Sequence, residues 1–192
     1  MLDDVLNKKL ELVKKRCMMG VLSYAALGCT CASLVFSIIS IALPYWQFSE
    51  IGVGGFSVKY YSGLWSYCKE QTSFGKSESK CTSFEEVQDF FKATRALEIL
   101  GLLLVVSAGA IGALKLFVMK ENELFVQIAG GLAVAAGVFM ITGAIIYAAK
   151  TQNQESTLLT SQPGLHAGFA LAIVSGVISF ISSGLFFASK SN

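Results

Sequence analysis

Two cysteines, Cys68 and Cys81, stand in the one long polar stretch of the chain, with lysines, glutamates and serines between them. Joined as a disulfide they would close a loop and stabilise it by about 3 kcal/mol on the chain-entropy estimate. That chemistry needs an oxidising compartment. Three further cysteines lie in or beside apolar sequence. The spacing of Cys29 and Cys31 puts them on different faces of a helix, and no cysteine or histidine pattern completes a metal site with them. They read as small packing residues. Cys17 sits where a basic flank meets an apolar run, which makes it a candidate for S-palmitoylation; a free reduced thiol is the other reading. His166 is the only histidine, placed at the edge of an apolar run as a polar boundary residue. Arg95 and Glu98 lie one helical turn apart. They read either as a fixed charge clamping the preceding segment to a bundle or facing a partner, or as an i,i+3 ion pair worth tenths of a kcal/mol. No phosphate loop, nucleophile elbow, intramembrane carboxylate pair or His/Cys cluster is present, so neither enzyme activity nor a cofactor, metal or nucleic-acid partner is expected. No Asn-x-Ser/Thr acceptor for N-glycosylation occurs either.

The elements that must hold these residues are apolar helices. The 192 residues are 54% hydrophobic and 15% charged, with mean hydropathy +0.61; a soluble domain carries about 25% charged residues. Asp, Glu, Lys and Arg are missing from Cys17 to Leu43, Ile99 to Leu114, Leu124 to Ala149 and Ala167 to Ser189. Crossing the hydrocarbon takes about 20 such residues, and the second run qualifies if Lys115 snorkels to the headgroups. The whole chain, 1–192, is therefore expected to be a single four-span domain. Its spans are 19–43, 94–118, 124–149 and 166–189, its long loop 44–93, its short loops 119–123 and 150–165, and its ends 1–18 and 190–192. The first run is too long for the apolar core of a signal peptide, and Asp3, Asp4 and Glu11 precede it. Lysines and one arginine crowd residues 8–16, Lys115 and Lys120 flank the second connection, and Lys190 follows the fourth run. The long loop mixes five lysines with six acids. The positive-inside rule then puts both ends in the cytoplasm and Cys68 and Cys81 outside, where a disulfide persists.

Between these spans the pattern is finer. Leu2, Leu6, Leu10 and Val13 recur at helical spacing beside lysines, which suits an interfacial helix on anionic lipid; a basic flank that only sets topology is the other reading. Pro44 ends the first span. Phe56, Val58 and Tyr60 alternate with Ser57, Lys59 and Tyr61 as in a half-buried strand. Gly52-Val53-Gly54-Gly55 reads as the hairpin connection before it. Ser83 with Glu86 predicts a capped helix start that runs into the second span. Small residues recur every four positions: Ala108/Gly112 and Gly109/Ala113, then Ala129/Ala133/Gly137, then Gly168/Ala172/Gly176 and Ser175/Ser179/Ser183. Such stripes let helices approach closely, within the bundle first and in a dimer second.

Trp46, Gly63-Leu64-Trp65 with Cys68 beyond, and Cys81 together resemble the W…GLW-x-x-C…C signature of the claudin superfamily. That group includes the peripheral myelin proteins, the epithelial membrane proteins and the calcium-channel gamma subunits. Ala93-Thr94-Arg95-Ala96-Leu97 is similar to the arginine-bearing start of the second span in claudins, so the resemblance covers nearly the whole chain. Tetraspanins, with cysteines after span three, and connexins, with more loop cysteines, match less well.

The resemblance implies an integral membrane, mainly α fold: a left-handed four-helix transmembrane bundle under a small extracellular antiparallel β-sheet. A Cys68–Cys81 bond would pin two strands, and Trp46, Gly63, Leu64 and Trp65 would anchor sheet to bundle at the bilayer surface. In claudins the residues after the two cysteines help line a paracellular path. Here these are Lys69 and Thr82, one basic and one neutral, which implies no clear ion selectivity. The spacer between the cysteines is longer than in a usual claudin. The ending lacks the Tyr-Val type that binds junctional scaffolds, so scaffold-anchored strands are not expected. The implied function is a cell–cell junction or adhesion protein of the plasma membrane, self-associating in cis and in trans and contributing to a paracellular barrier. The competing function is an auxiliary, gamma-like subunit tuning an ion channel or receptor. Outward-facing small residues would favour the auxiliary role, and apolar tips at Gly52–Gly55 or Leu158-Leu159 would favour adhesion.

Overall fold

A computed structural model of the chain describes residues 2–53, 56–73, 76–118, 123–155 and 164–189. In chain order it runs α1 (Leu2–Ala42), β1 (Gln47–Val53), β2 (Phe56–Ser62), β3 (Ser66–Ser73), β4 (Lys76–Ser83), α2 (Asp89–Phe117), α3 (Leu124–Glu155), β5 (Gly164–Leu165) and α4 (Ala167–Ala188). All four helices are long and apolar enough to cross a membrane. The five strands form one antiparallel sheet in the order β4-β3-β2-β1-β5 at one end of the bundle. The protein is thus a mainly helical four-span membrane protein with a sheet at one end.

Hydrophobicity cannot drive helices together in lipid, so the bundle associates through close packing and polar side chains. Most of the small-residue stripes face inward: Ala108, Gly112, Ala129, Ala133, Gly168, Ala172 and Gly176 are buried, while Gly109 and Ala113 are half-buried. A Cβ on Gly176 would come within 2.7 Å of Ile141 Cγ1, and one on Gly137 within 2.9 Å of the Gly176 carbonyl. Serines join α1 to α4. Ser33 Oγ donates to the Ser175 carbonyl at 2.9 Å while Ser175 Oγ donates back to the Ser33 carbonyl at 2.8 Å. Thr30 and Ser182 share a hydroxyl hydrogen bond of 2.6 Å, and Ser40 Oγ reaches the Gly168 carbonyl at 2.7 Å. Ser179 Oγ ties α4 to the Ala133 carbonyl of α3 at 2.9 Å. In hydrocarbon these hydroxyls have no water to turn to, so their bonds fix the register between helices.

Three features differ from the sequence expectations. α1 begins at Leu2, so the basic flank before the first apolar run is the start of the same helix, 41 residues long. Thr82 and Ser83 lie in β4, paired with Tyr67 and Ser66, so Ser83 caps no helix. The backbone bonds of that ladder leave the helix to start at Asp89, with Gln88 at its N-cap and no side-chain cap bond. Third, β1 and β2 are paired to their ends, Val53 opposite Phe56. The hairpin tip at Gly54 and Gly55 lies outside the described residues, as do Leu158-Leu159, Lys120 and Lys190 to Asn192.

Candidate functional site: the anchor between sheet and bundle

Pro44 creates the need that the anchor answers. In a continuing helix the Ser40 carbonyl would accept from the N–H of residue 44, but proline has none. The indole Nε1 of Trp46 donates to that carbonyl instead, at 2.8 Å, and the indole of Trp65 donates to the next one, Ile41, at 3.0 Å. The two tryptophans of the signature therefore finish the last turn of α1 from the sheet side. Trp46 is fully buried, whereas Trp65 keeps 43% of its surface exposed.

Trp46 is also held through its backbone. Its N–H donates to the Ser62 carbonyl at 2.8 Å, and its carbonyl accepts from His166 N–H at 2.9 Å. The indole meets Tyr147 of α3 edge-on with centroids 5.0 Å apart, and Phe169 of α4 at 6.3 Å. Gly168 must be glycine for this: a Cβ there would lie 2.5 Å from Trp46 Cδ1. Gly63 meets a similar limit, since its Cβ would lie 2.5 Å from Pro44 Cα and 2.7 Å from the Leu43 carbonyl. Close approach, rather than an unusual backbone angle, dictates both glycines. Leu64 follows, fully buried with Trp46, Ala144, Tyr147 and Ala172.

Arg95 ties α2 to the same turn. Its Nε donates to the Leu64 carbonyl at 2.8 Å, and its guanidinium lies over the Trp65 ring at 4.8 Å and the Phe84 ring at 5.9 Å. The ion pair with Glu98 is not formed; among the described residues the one salt bridge is Lys92–Asp89 at 3.3 Å. Glu98 instead turns into the bundle. It is fully buried, and neither carboxylate oxygen has a hydrogen-bond partner among the described residues. Its Oε1 would stand 3.2 Å from a Cβ on Gly143, so that glycine makes its room. Burial of Glu98 is what the sequence reading missed, because i,i+3 spacing cannot tell an outward from an inward neighbour.

The disulfide Cys68–Cys81 joins directly opposed residues of β3 and β4. Residues alternate faces along a strand, so Lys69, Tyr67 and their partners lie on the opposite face from the disulfide. Lys69 is opposite Lys80, and Tyr67 is opposite Thr82. Lys69 and Thr82 therefore share one sheet face with a second lysine, which a search of the positions after each cysteine overlooks. Lys69 Nζ also lies 5.9 Å from the Tyr60 ring. Of the remaining candidates, His166 packs among Tyr45, Phe48 and Tyr61 with centroids 5.9, 6.1 and 6.4 Å away. Cys17 is exposed on α1, with Cys29 half-buried and Cys31 exposed. No group of three or more His, Cys, Asp or Glu able to hold a metal occurs among the described residues.

Four spans, a disulfide-bonded sheet seated on their ends and two tryptophans closing the first helix define a class of four-span membrane proteins. The profile of the PMP-22/EMP/MP20/Claudin family matches residues 18–187, and the chain belongs to that family. No individual curated protein matches the chain.

Proposed function

We propose that the protein is a claudin-like junction and adhesion protein of the plasma membrane, with both ends cytoplasmic and the sheet outside the cell. It acts through its sheet rather than by catalysis. The observation that carries this reading is the contrast between the seat of the sheet and its free edge. Trp46, Gly63 and Leu64 are buried against the bundle, while the edge strand β4 is exposed along its whole length. A rigidly seated sheet with an open, polar edge strand is suited to presenting a surface to another molecule. Small residues do not separate adhesion from the auxiliary-subunit role, since most of the stripes pack inside the bundle while Gly131 of α3 and Gly184 of α4 are exposed; the preference for adhesion rests on the open sheet edge. The distribution of basic residues supports the orientation, and an outside location supports the disulfide.

On this reading Lys69, Lys80 and Thr82 face a path between cells, and Lys69 with Lys80 gives that face a local positive charge. Membership of the family and the exposed cross-strand lysines support the assignment. A cell-mixing assay tests the adhesive role. Tagged protein is expressed in cells without junctions, which are then mixed with untransfected cells. Enrichment only at borders between two expressing cells is the expected result, lost in Cys68→Ser through unpinning of the sheet. Uniform surface staining would remove self-adhesion as the primary role. Co-purification of a channel from those cells would turn the assignment to the auxiliary subunit.

A further inference from the structure

α1 is longer than the bundle that holds it. Its hydrogen bonds to α4 keep one register, with Ser40 opposite Gly168 and Ser33 opposite Ser175. Followed to the end of α4, that register puts Ala188 opposite Gly20. About 18 residues of α1 therefore extend past the last turn of α4, some 27 Å at 1.5 Å per residue. All but the last two residues of this extension precede the segment shared with the family, which starts at residue 18.

The extension has a distinct surface. Leu6, Leu10 and Val13 are 59, 69 and 66% exposed, and Cys17 continues the same line. At 100° per residue these four lie within one narrow stripe. Lys9 falls on one shoulder of the stripe, Lys14 on the other, and Lys15 on the back, all exposed. Held upright, the stripe stands in water beyond the headgroups. A second copy packed along it would bring Lys9 and Lys14 of each helix against those of the other. An anionic surface would satisfy the stripe together with Lys9 and Lys14, and it lies within one helix length because α1 itself enters the bilayer. Gly20 stands where bundle support ends. A Cβ there would meet nothing within 4 Å, so no packing demands glycine, and its missing Cβ lets the backbone leave helical geometry at lower cost than its neighbours.

We propose that residues 2–19 form a lipid-docking helix that folds over at Gly20 and lies on anionic headgroups at the bilayer face away from the sheet. Leu6, Leu10 and Val13 sink into the headgroup–acyl boundary, and Lys9 and Lys14 reach lipid phosphates from either side.

The test uses the full-length protein in nanodiscs. Leu10→Cys is spin-labelled in a background where Cys17, Cys29 and Cys31 are serine and the Cys68–Cys81 disulfide is kept. Accessibility to oxygen and to a water-soluble nickel reagent then reports depth. In discs containing phosphatidylserine the label should favour oxygen at least tenfold more than in pure phosphatidylcholine discs. Lys9→Gln with Lys14→Gln should return it to the phosphatidylcholine value, with the bundle's thermal unfolding unchanged. A label equally open to nickel in both lipids would overturn the proposal. So would equal depth in both lipids, or spin–spin broadening that places two copies side by side.

Discussion

The indole of Trp46 donates to the carbonyl of Ser40 at 2.8 Å, and that carbonyl is free because Pro44 stands where its helical donor would be. One residue type thus interrupts the helix and another completes it from outside. This makes Trp46 part of the end of α1 as much as of the sheet.

Trp46→Phe keeps an aromatic ring but removes the donor, leaving the Ser40 carbonyl unsatisfied in a dry site. The expected loss is about 1–3 kcal/mol, read as a fall in the detergent-solubilised protein's unfolding temperature. Trp65→Phe removes the equivalent bond to Ile41 where water has access, so its loss should be under about 1 kcal/mol. Equal losses would show that the two indoles are not distinguished by burial.

Glycine substitutions separate close approach from helix propensity. Gly63→Ala drives a methyl against Pro44 and the Leu43 carbonyl, backbone that cannot move aside as a side chain would. It should cost upwards of about 1–3 kcal/mol, the range for overpacking. Gly184 lies inside α4 with nothing within 4 Å of a built Cβ. Gly184→Ala should therefore be neutral or stabilising by up to about 1 kcal/mol. Thermal unfolding of both variants under one condition decides between them; a destabilised Gly184→Ala would mean that site is packed.

Much of this architecture is legible in the sequence because its signals are long. Charge-free runs of hydrocarbon length set the four helices, and alternation from Phe56 to Tyr61 sets β2. The tight spots were legible only by resemblance, since nothing in Gly63-Leu64-Trp65 says that Pro44 will press against its glycine. Signals of one or two residues failed where a tertiary partner outbid them. Ser83 and Glu86 have the spacing of a capping box, yet Ser66 takes Ser83 into the sheet. Arg95 and Glu98 have the spacing of an ion pair, yet the Leu64 carbonyl and the Trp65 ring capture the arginine. The helical spacing of Leu2, Leu6, Leu10 and Val13 is legible in the sequence, but its continuity with the first span is not, because a basic flank serves topology whether or not it joins the helix.

Lys69 and Lys80 predict the sign of any paracellular path that the sheet lines. Directly opposed like charges repel and cost stability, so their shared face should attract anions over cations. In an epithelial monolayer expressing the protein, dilution potentials should show anion preference. Lys69→Glu with Lys80→Glu should reverse it, while Lys59→Glu, on the other face opposite Glu50 and Glu70, should not. Unchanged potentials in the double variant would remove these lysines from the path.

Glu98 is the residue whose replacement should strengthen the fold. Its carboxyl is fully buried beside Gly143 and has no hydrogen-bond partner among the described residues. A polar group taken from water without a partner is a net cost, which a similarly shaped apolar side chain does not carry. Glu98→Met should raise stability by about 1–3 kcal/mol, seen as later thermal unfolding in detergent. Glu98→Gln is the discriminating control, since an amide keeps the shape but still needs partners; it should gain much less. Loss of stability in Glu98→Met with none in Glu98→Gln would mean that a polar group is required inside the bundle at this position.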